Sequence, residues 1–432
     1  MNVQGIKDGN ADFGAEARFA QARDILAHGK PEVPEAFVLQ FLGSIAPEYL
    51  ALIDLAALAT LTREAFAHVS SRAPGQHDVK VFNPDSLDGA VTVIETVNDD
   101  MAFLFDSVAG ELSDRGLELR LVAHPILTLE RDKDGEITLL EAPPRKGQEA
   151  ARESLIHLHI PALGAAERAQ LKAGIEETLA DVRAANEDFL AMRKQVKGLA
   201  KGFRKEKRPY DDADRDEASD FIDWMTDDNF TFLGMRQYEL APDGGLQARP
   251  ESGLGILRDP AVHELRLGDD PVTTTPEIQA FLEGPAPLMF SKASLRSRVH
   301  RRTFMDYVGI KTHDEKGRLT GELRVIGLFS ATAYTHSVRE IPYLRLKADW
   351  VLRHTGLDPQ SHSGRALSTV LETYPRDDLF QIDPETLQVH ACDILSLYDR
   401  PRVRVLPRLD PFDRFVSVLV YLPRDRYDST VR

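Results

Sequence analysis

Between residues 80 and 200 the apolar pattern switches repeatedly between the two-residue period of a strand and the 3.6-residue period of a helix, and this limits the available folds more than any bulk property. Val91 to Val97 is a β-branched, strand-like run. Asn98-Asp99-Asp100 follows, and then Met101, Leu104, Phe105, Val108 and Leu112 recur at helical spacing until Gly116. Leu117, Leu119 and Leu121 alternate with Glu118 and Arg120, predicting a half-buried strand to about Leu129. Asp134-Gly135 signals a hairpin turn. Ile156, Leu158 and Ile160 then face one way from another strand, which predicts His157 and His159 on an exposed opposite face. A long helix from about Ala165 is carried by Leu171, Ile175, Leu179, Val182, Phe189, Met192, Val196 and Leu199. Strand–helix–strand–strand–helix is the ferredoxin-like order of small α+β regulatory modules, and the long helix overruns it as a spacer.

The flanks read differently. Residues 13–72 predict helices punctuated by Pro31 and Pro34, with Leu50, Ile53, Ala57 and Leu61 at helical spacing, until Pro74-Gly75 breaks the pattern. The basic run Lys201, Arg204, Lys205, Lys207 and Arg208 meets the acidic stretch Asp211 to Glu217 and marks a boundary. With Phe203 as its only aromatic it reads as a solvated face and not as a nucleic-acid patch. Beyond it, a helix ends near Met225, and a strand Phe230–Leu240 turns back at Asp243-Gly244-Gly245. Phe304–Lys311 and Glu322–Phe329 form a hairpin around His313 to Arg318, and helices are expected over Ile341–His354, Arg365–Thr373 and Pro384–Tyr398. Phe415–Tyr421 reads as an opening strand with no partner after it, so the chain is expected to end inside a module.

The 432 residues are enough for two to four domains at roughly 100–200 residues each. With 42% apolar and 28% charged residues, the chain is neither disordered throughout nor a membrane protein. A formal net charge of −16 argues against nucleic acid as the main partner. The lone cysteine, Cys392, excludes a disulfide framework and multi-cysteine metal sites. No apolar leader opens the chain, and the stretch Leu50–Leu61 is broken by Asp54, so a cytoplasmic location is expected and the sequon Asn229-Phe230-Thr231 is taken as chance.

The usual catalytic signatures are missing. The nearest approach to a dinucleotide loop, Gly253-Leu254-Gly255-Ile256-Leu257-Arg258, lacks a third glycine and runs into Pro260. There is no G-x-x-x-x-G-K-[ST], no H-E-x-x-H and no G-x-S-x-G. His157 and His159 have no evident third ligand, so no metal site is expected. Cys392 and His390 lie two apart on a predicted helix and do not face each other, which makes Cys392 a core residue. Within the basic stretch Lys292, Arg296, Arg298, His300, Arg301 and Arg302, three side chains are expected on one strand face. Arg298, His300 and Arg302 are thus anion-binding candidates, for a carboxylate or phosphate, against the plainer reading as protection of a sheet edge. Asn98, Asp99 and Asp100 stand at a strand-to-helix junction, where capping accounts for them; they are also the candidates for binding a small zwitterion at a domain interface.

Several strings together resemble the large bacterial NAD-specific glutamate dehydrogenases. They are Ile94-Glu95-Thr96-Val97-Asn98-Asp99-Asp100-Met101-Ala102-Phe103-Leu104 with Asp106-Ser107-Val108 and His124-Pro125; Phe290-Ser291-Lys292 with Val299-His300-Arg301; Ile341-Pro342-Tyr343-Leu344-Arg345; Leu371-Glu372-Thr373-Tyr374-Pro375-Arg376-Asp377; and Asp410 to Ser417 running on to Tyr421-Leu422-Pro423-Arg424-Asp425-Arg426-Tyr427. Ala102 departs from the pattern, standing where proline would open the helix. The resemblance covers roughly residues 35–432. It implies an N-terminal regulatory region of multidomain α+β class. Its parts would be a helical module (1–75), an ACT-like module with spacer helix (80–200), a PAC-like antiparallel module (210–345), a helical connector (346–402) and the opening strand of a second ACT-like module (403–432).

By the same resemblance, the catalytic domain and its NAD site lie downstream, so this chain holds no catalytic or cofactor residues of its own. The whole protein would oxidise L-glutamate to 2-oxoglutarate and ammonium in glutamate catabolism. This part would sense an amino-acid effector allosterically and mediate homo-oligomer contacts, with the downstream catalytic domain as its partner in cis and neither nucleic acid nor membrane involved. The alternative is a free-standing ligand-sensing or scaffold protein with no enzyme attached.

Overall fold

The structure, a computed structural model, describes residues 9–70, 72–73, 75–87, 91–141, 151–205, 209–410 and 415–427. Pro74 of the expected break, Lys207 and Arg208 of the basic run, and Pro411 to Arg414 lie outside these residues. The chain is of mixed α+β class and divides into two compact units. One holds the residues up to Arg183 with Arg298–Arg302; the other holds Ala184–Ser297 and Thr303 onward.

The first unit opens with helices α1 (Gly9–Ala27), α2 (Glu35–Gly43), α3 (Pro47–Leu50) and α4 (Leu55–Ser70). Leu50 and Ile53 precede α4 instead of sharing it with Ala57 and Leu61. The reason is that the Asp54 carboxylate accepts hydrogen bonds from the Ala56 and Ala57 amides (2.9 and 3.2 Å) and starts a new helix. Next come β1 (Asp78–Phe82), β2 (Val91–Asp99), α5 (Leu104–Asp114), β3 (Leu121–Ala123), β4 (Ile126–Arg131), β5 (Ile137–Leu140), β6 (Arg152–Pro161) and the long α6 (Ala165–Lys205). The sheet order is β1-β2-β6-β4-β5, with β3 also on β6, and every pairing is antiparallel. The edge beside β2 is thus filled by β1, which precedes it in the chain.

Two local readings change. The expected strand to Leu129 is two strands, because His124-Pro125 interrupts it and proline supplies no ladder N–H. Helix α5 ends as expected: Gly116 takes φ +67°, and the Leu117 amide donates back to the Leu112 carbonyl at 2.9 Å.

Both faces of this sheet are covered. Val97, Leu121, Ala123, Leu127, Leu129 and Leu155 join Phe37, Phe41, Leu58 and Val69 of α2 and α4 in one core. The alternate residues Ile94, Ile156, Leu158 and Ile160 are buried as well, as are Val108 and Leu112 of α5 and Leu171, Ile175 and Leu179 of α6. A sheet buried on both faces loses the apolar-in, polar-out alternation, so any ionisable residue at its centre must be paired.

The second unit continues α6 and adds α7 (Asp212–Trp224), β7 (Phe230–Leu240), β8 (Leu246–Ala248), β9 (Leu254–Gly255), β10 (Arg266–Leu267), β11 (Asp270–Pro271), α8 (Pro276–Glu283), β12 (Leu288–Arg296), β13 (Phe304–His313), β14 (Leu319–Phe329), α9 (Ala331–Thr335), α10 (Leu344–His354), α11 (His362–Thr373), α12 (Arg376–Gln381), α13 (Pro384–Asp399), β15 (Arg404–Leu409) and β16 (Val416–Tyr421). Its main sheet runs β12-β13-β14-β7-β8. The face carrying Phe232, Met235, Val308, Leu323 and Val325 packs with Phe203 of α6, Phe221 of α7 and Leu367 and Val370 of α11. The strand-like segment near the end of the sequence does have a partner: β16 pairs with β15, which precedes it. The short β15 was not read because Pro407 lies inside it.

Candidate regulatory site

Asn98 and Asp99 are the last residues of β2, and none of the Asn98–Asp100 group caps α5. The N-cap is Phe103 in the left-handed region (φ 73°), with no side-chain cap. Asn98 is buried. Both Asp99 oxygens are taken, Oδ1 by Arg72 at 2.7 Å and Oδ2 by Arg183 at 2.9 Å. Burial alone would raise this carboxyl, but those two guanidinium bonds outweigh it and hold the group below the usual range. Opposite it on β6, Glu153 receives Arg72 (2.8 Å) and Arg131 (2.7 and 2.8 Å). Asp100 pairs with Arg152 at 3.1 Å. Asp99 and Asp100 are therefore ion-paired, and the network around Asp99 and Glu153 ties the end of the sheet to the chain just after α4.

The anion candidates are not on a strand face. Arg298, His300 and Arg302 lie in the turn between β12 and β13, with His300 at φ 63°, because the ladder ends at Arg296 and resumes at Phe304. Each meets carboxylates of the first unit: Arg298 lies 2.8 Å from Glu177, His300 3.0 Å from Asp106, and Arg302 3.0 Å from Glu111. The sequence showed the cations but not where their acidic partners would fold.

The expected exposed histidines are the clearest correction. His157 and His159 are buried, because α2 and α4 cover their face of the sheet; His157 packs edge-on to Phe41, with ring centroids 5.2 Å apart. They belong to a chain of contacts that runs through Glu95, cross-strand from His157. Glu95 accepts from His157 Nδ1 and from His68 Nδ1 of α4, both at 2.9 Å. His157 Nε2 lies 2.9 Å from His159 Nε2, and His68 Nε2 lies 3.3 Å from Asp78. Burial would raise Glu95, yet the two imidazole bonds bring it down to about 2, so it is a carboxylate. Burial, and then the neighbouring His157, bring His159 down to about 3, so it is neutral. An acid inside the β-branched run Val91–Val97 was the available signal, since a buried charge demands partners.

His159 also lines a cavity of about 410 Å³, together with Tyr49, Leu52, Ile53, Glu118, Leu119, Arg120 and Leu121. Among the described residues no group of three or more His, Cys, Asp or Glu is placed to hold a metal, and no helix is long and apolar enough to cross a membrane.

The remaining candidates settle as structure. The Gly255 amide donates to Asp188 at 2.7 Å, and a Cβ there would lie 2.2 Å from the Leu233 carbonyl; at Gly253 it would lie 2.1 Å from Leu257 O. Gly255 allows a close crossing of β7 and Gly253 a fold-back onto Leu257, and the residues do not fit a nicotinamide dinucleotide. His390 bonds Tyr374 at 3.0 Å, while Cys392 is exposed, not in the core. Burial and Asp393 raise its thiol, so it is not an activated nucleophile. One buried group escaped the sequence reading. Arg324 on β14 donates to Glu322 (3.0 Å) and Glu264 (2.7 Å), and its guanidinium carbon sits 3.9 Å from the centre of the Tyr238 ring.

Comparison with known proteins accounts for the arrangement. Residues 37–175 match the ACT1 domain of glutamate dehydrogenase, 341–400 its helical motif 1, and 404–432 its ACT2 domain. The NAD-specific glutamate dehydrogenase of Halomonas elongata is 35% identical over 409 residues, 92% of this chain and 25% of that protein. That of Pseudomonas aeruginosa is 34% identical over 430 residues, 98% of this chain and 26% of its own. The Mycobacterium tuberculosis protein is 27% identical over 363 residues, 84% of this chain and 21% of its own. The chain spans about a quarter of the length of the first two relatives. With three domain matches in order and similarity along nearly its whole length, the chain belongs to the family of NAD-specific glutamate dehydrogenases and carries that family's ACT1, helical-motif and ACT2 regions.

Proposed function

We propose that this chain is the regulatory part of an NAD-dependent glutamate dehydrogenase, whose downstream region converts L-glutamate and water to 2-oxoglutarate and ammonium. The observation that supports this is the ordered match to ACT1, helical motif 1 and ACT2, in a chain whose nearest approach to a dinucleotide loop has its Gly255 amide taken by Asp188. NAD is bound downstream, and this chain carries no catalytic residue. Its own task is to sense an amino-acid effector in the cytoplasm and to mediate homo-oligomeric contacts. In this reading residues 80–200 act as the ACT-like module with its spacer helix, 210–345 as the PAC-like module, 346–402 as the connector, and 403–432 as part of a second ACT-like module.

The test is to incubate the purified chain with L-glutamate and NAD and to follow NADH absorbance, alongside calorimetry with a panel of amino acids. The reading expects no NADH formation and saturable heat with at least one amino acid. Saturable NAD reduction refutes it.

A further inference from the structure

The cavity bordered by His159 lies between α3 and the chain entering β3, within the first unit. Its lining has two parts. Leu52, Ile53, Leu119 and Leu121 are apolar, and Leu52 is 80% exposed. Glu118 and Arg120 are exposed charges of opposite sign, and no ion pair involving either is found among the described residues. Two opposite charges beside an apolar pocket match the ammonium, carboxylate and side chain of one small zwitterion.

The floor adds a directional element. Glu95 is an ionised acceptor at both oxygens, so His157 must present N–H at Nδ1. His157 Nε2 and His159 Nε2 then share one hydrogen bond across the 2.9 Å contact. The polar atom His159 then has left is Nδ1, a ring nitrogen able to bond a polar ligand atom. The opposite end of the same chain of contacts is His68 on α4, with Asp78 of β1 beside it.

We propose that this cavity is an effector site for an L-α-amino acid with an apolar side chain, its ammonium held by Glu118, its carboxylate by Arg120, and its side chain by Leu52, Ile53 and Leu121. The contacts from His159 through His157 and Glu95 to His68 join the pocket to α4 and the helical layer. The proposal rests on the amino-acid-sensing reading above and moves the site away from Asn98–Asp100, whose polar groups are already paired.

The experiment is calorimetry of the whole 432-residue chain with L-leucine and L-phenylalanine, and with L-glutamate and L-aspartate as contrasts. The variants are Arg120→Ala, Leu52→Glu and Asp100→Ala. Arg120 and Leu52 are exposed, so their substitution leaves folding intact. Expected is binding of the apolar amino acids, weakened roughly tenfold to a hundredfold in each pocket variant, since Arg120→Ala loses one charge-assisted contact and Leu52→Glu sets a carboxylate against the ligand's apolar side chain. Asp100→Ala binds unchanged. Imidazole ¹⁵N spectra should show His159 and His157 changing on saturation, a readout that a structural role would leave still. Binding indifferent to Arg120→Ala and Leu52→Glu, or lost in Asp100→Ala, overturns the pocket but keeps an amino-acid sensor. Absence of binding by every amino acid overturns both.

Discussion

His159 offers the sharpest test of the first unit. Its imidazole is buried on β6 and brought down from 6.5 to about 3, first by burial and then by His157. In the unfolded chain it titrates at its ordinary value, so below pH 6.5 the unfolded state binds a proton that the folded state refuses. Stability therefore rises with pH across this window and falls on acidification, by about 1.4 kcal/mol per pH unit. Between pH 6.5, where the unfolded histidine is half protonated, and pH 4.5 this one residue removes about 2.3 kcal/mol.

His77, His124 and His390 are also lowered by burial and tilt the wild-type curve the same way. The informative quantity is thus the difference between wild type and His159→Gln at each pH. The variant is the less stable at pH 6.5, having lost the contact to His157, and its deficit should shrink by about 2.3 kcal/mol at pH 4.5. Both tryptophans, Trp224 and Trp350, belong to the second unit. The assay is therefore amide hydrogen exchange resolved to β6, not fluorescence. A deficit that is the same at both pH values refutes the neutral, buried His159.

Glu153→Gln leaves Arg72 and Arg131 buried without their shared carboxylate. It should cost the first unit about 3–5 kcal/mol, read from exchange in β2 and β6, whereas Glu118→Gln on the exposed rim should stay within about 0.5 kcal/mol. Gly255→Ala forces a side chain into φ +61° and against the Leu233 carbonyl; a loss of about 1–3 kcal/mol should follow, visible in tryptophan fluorescence of the second unit. Arg324→Met strands Glu322 and Glu264 in the core and should cost about 3–5 kcal/mol, and adding Glu322→Gln should recover part of it.

Much of the first unit was legible because its strands and helices announce themselves locally. The β-branched run Val91–Val97, the helical spacing from Leu104 to Leu112, and Gly116 each specify their own backbone. What sequence could not supply was the partner of each charged group. His157 and His159 alternate with apolar residues as surface histidines would, and only the layer made by α2 and α4 turns that face into a core. Asp99 and Glu153 lie far apart in sequence, so their shared Arg72, itself from the chain after α4, was invisible until register set them opposite. Arg298 to Arg302 failed for a related reason: the ladder breaks after Arg296, and alternation along a strand does not apply to a turn. Cys392 was placed in the core by residue type alone, while the helix it sits on turns it outward.

The proposed function makes this region a regulator that does not carry out the dehydrogenase chemistry. Its most direct test is a pair of equilibrium titrations of the purified chain, one with NAD and one with the amino-acid panel. Expected are no saturable heat with NAD and saturable heat with an apolar amino acid. Saturable NAD binding, with no amino acid bound, would contradict it.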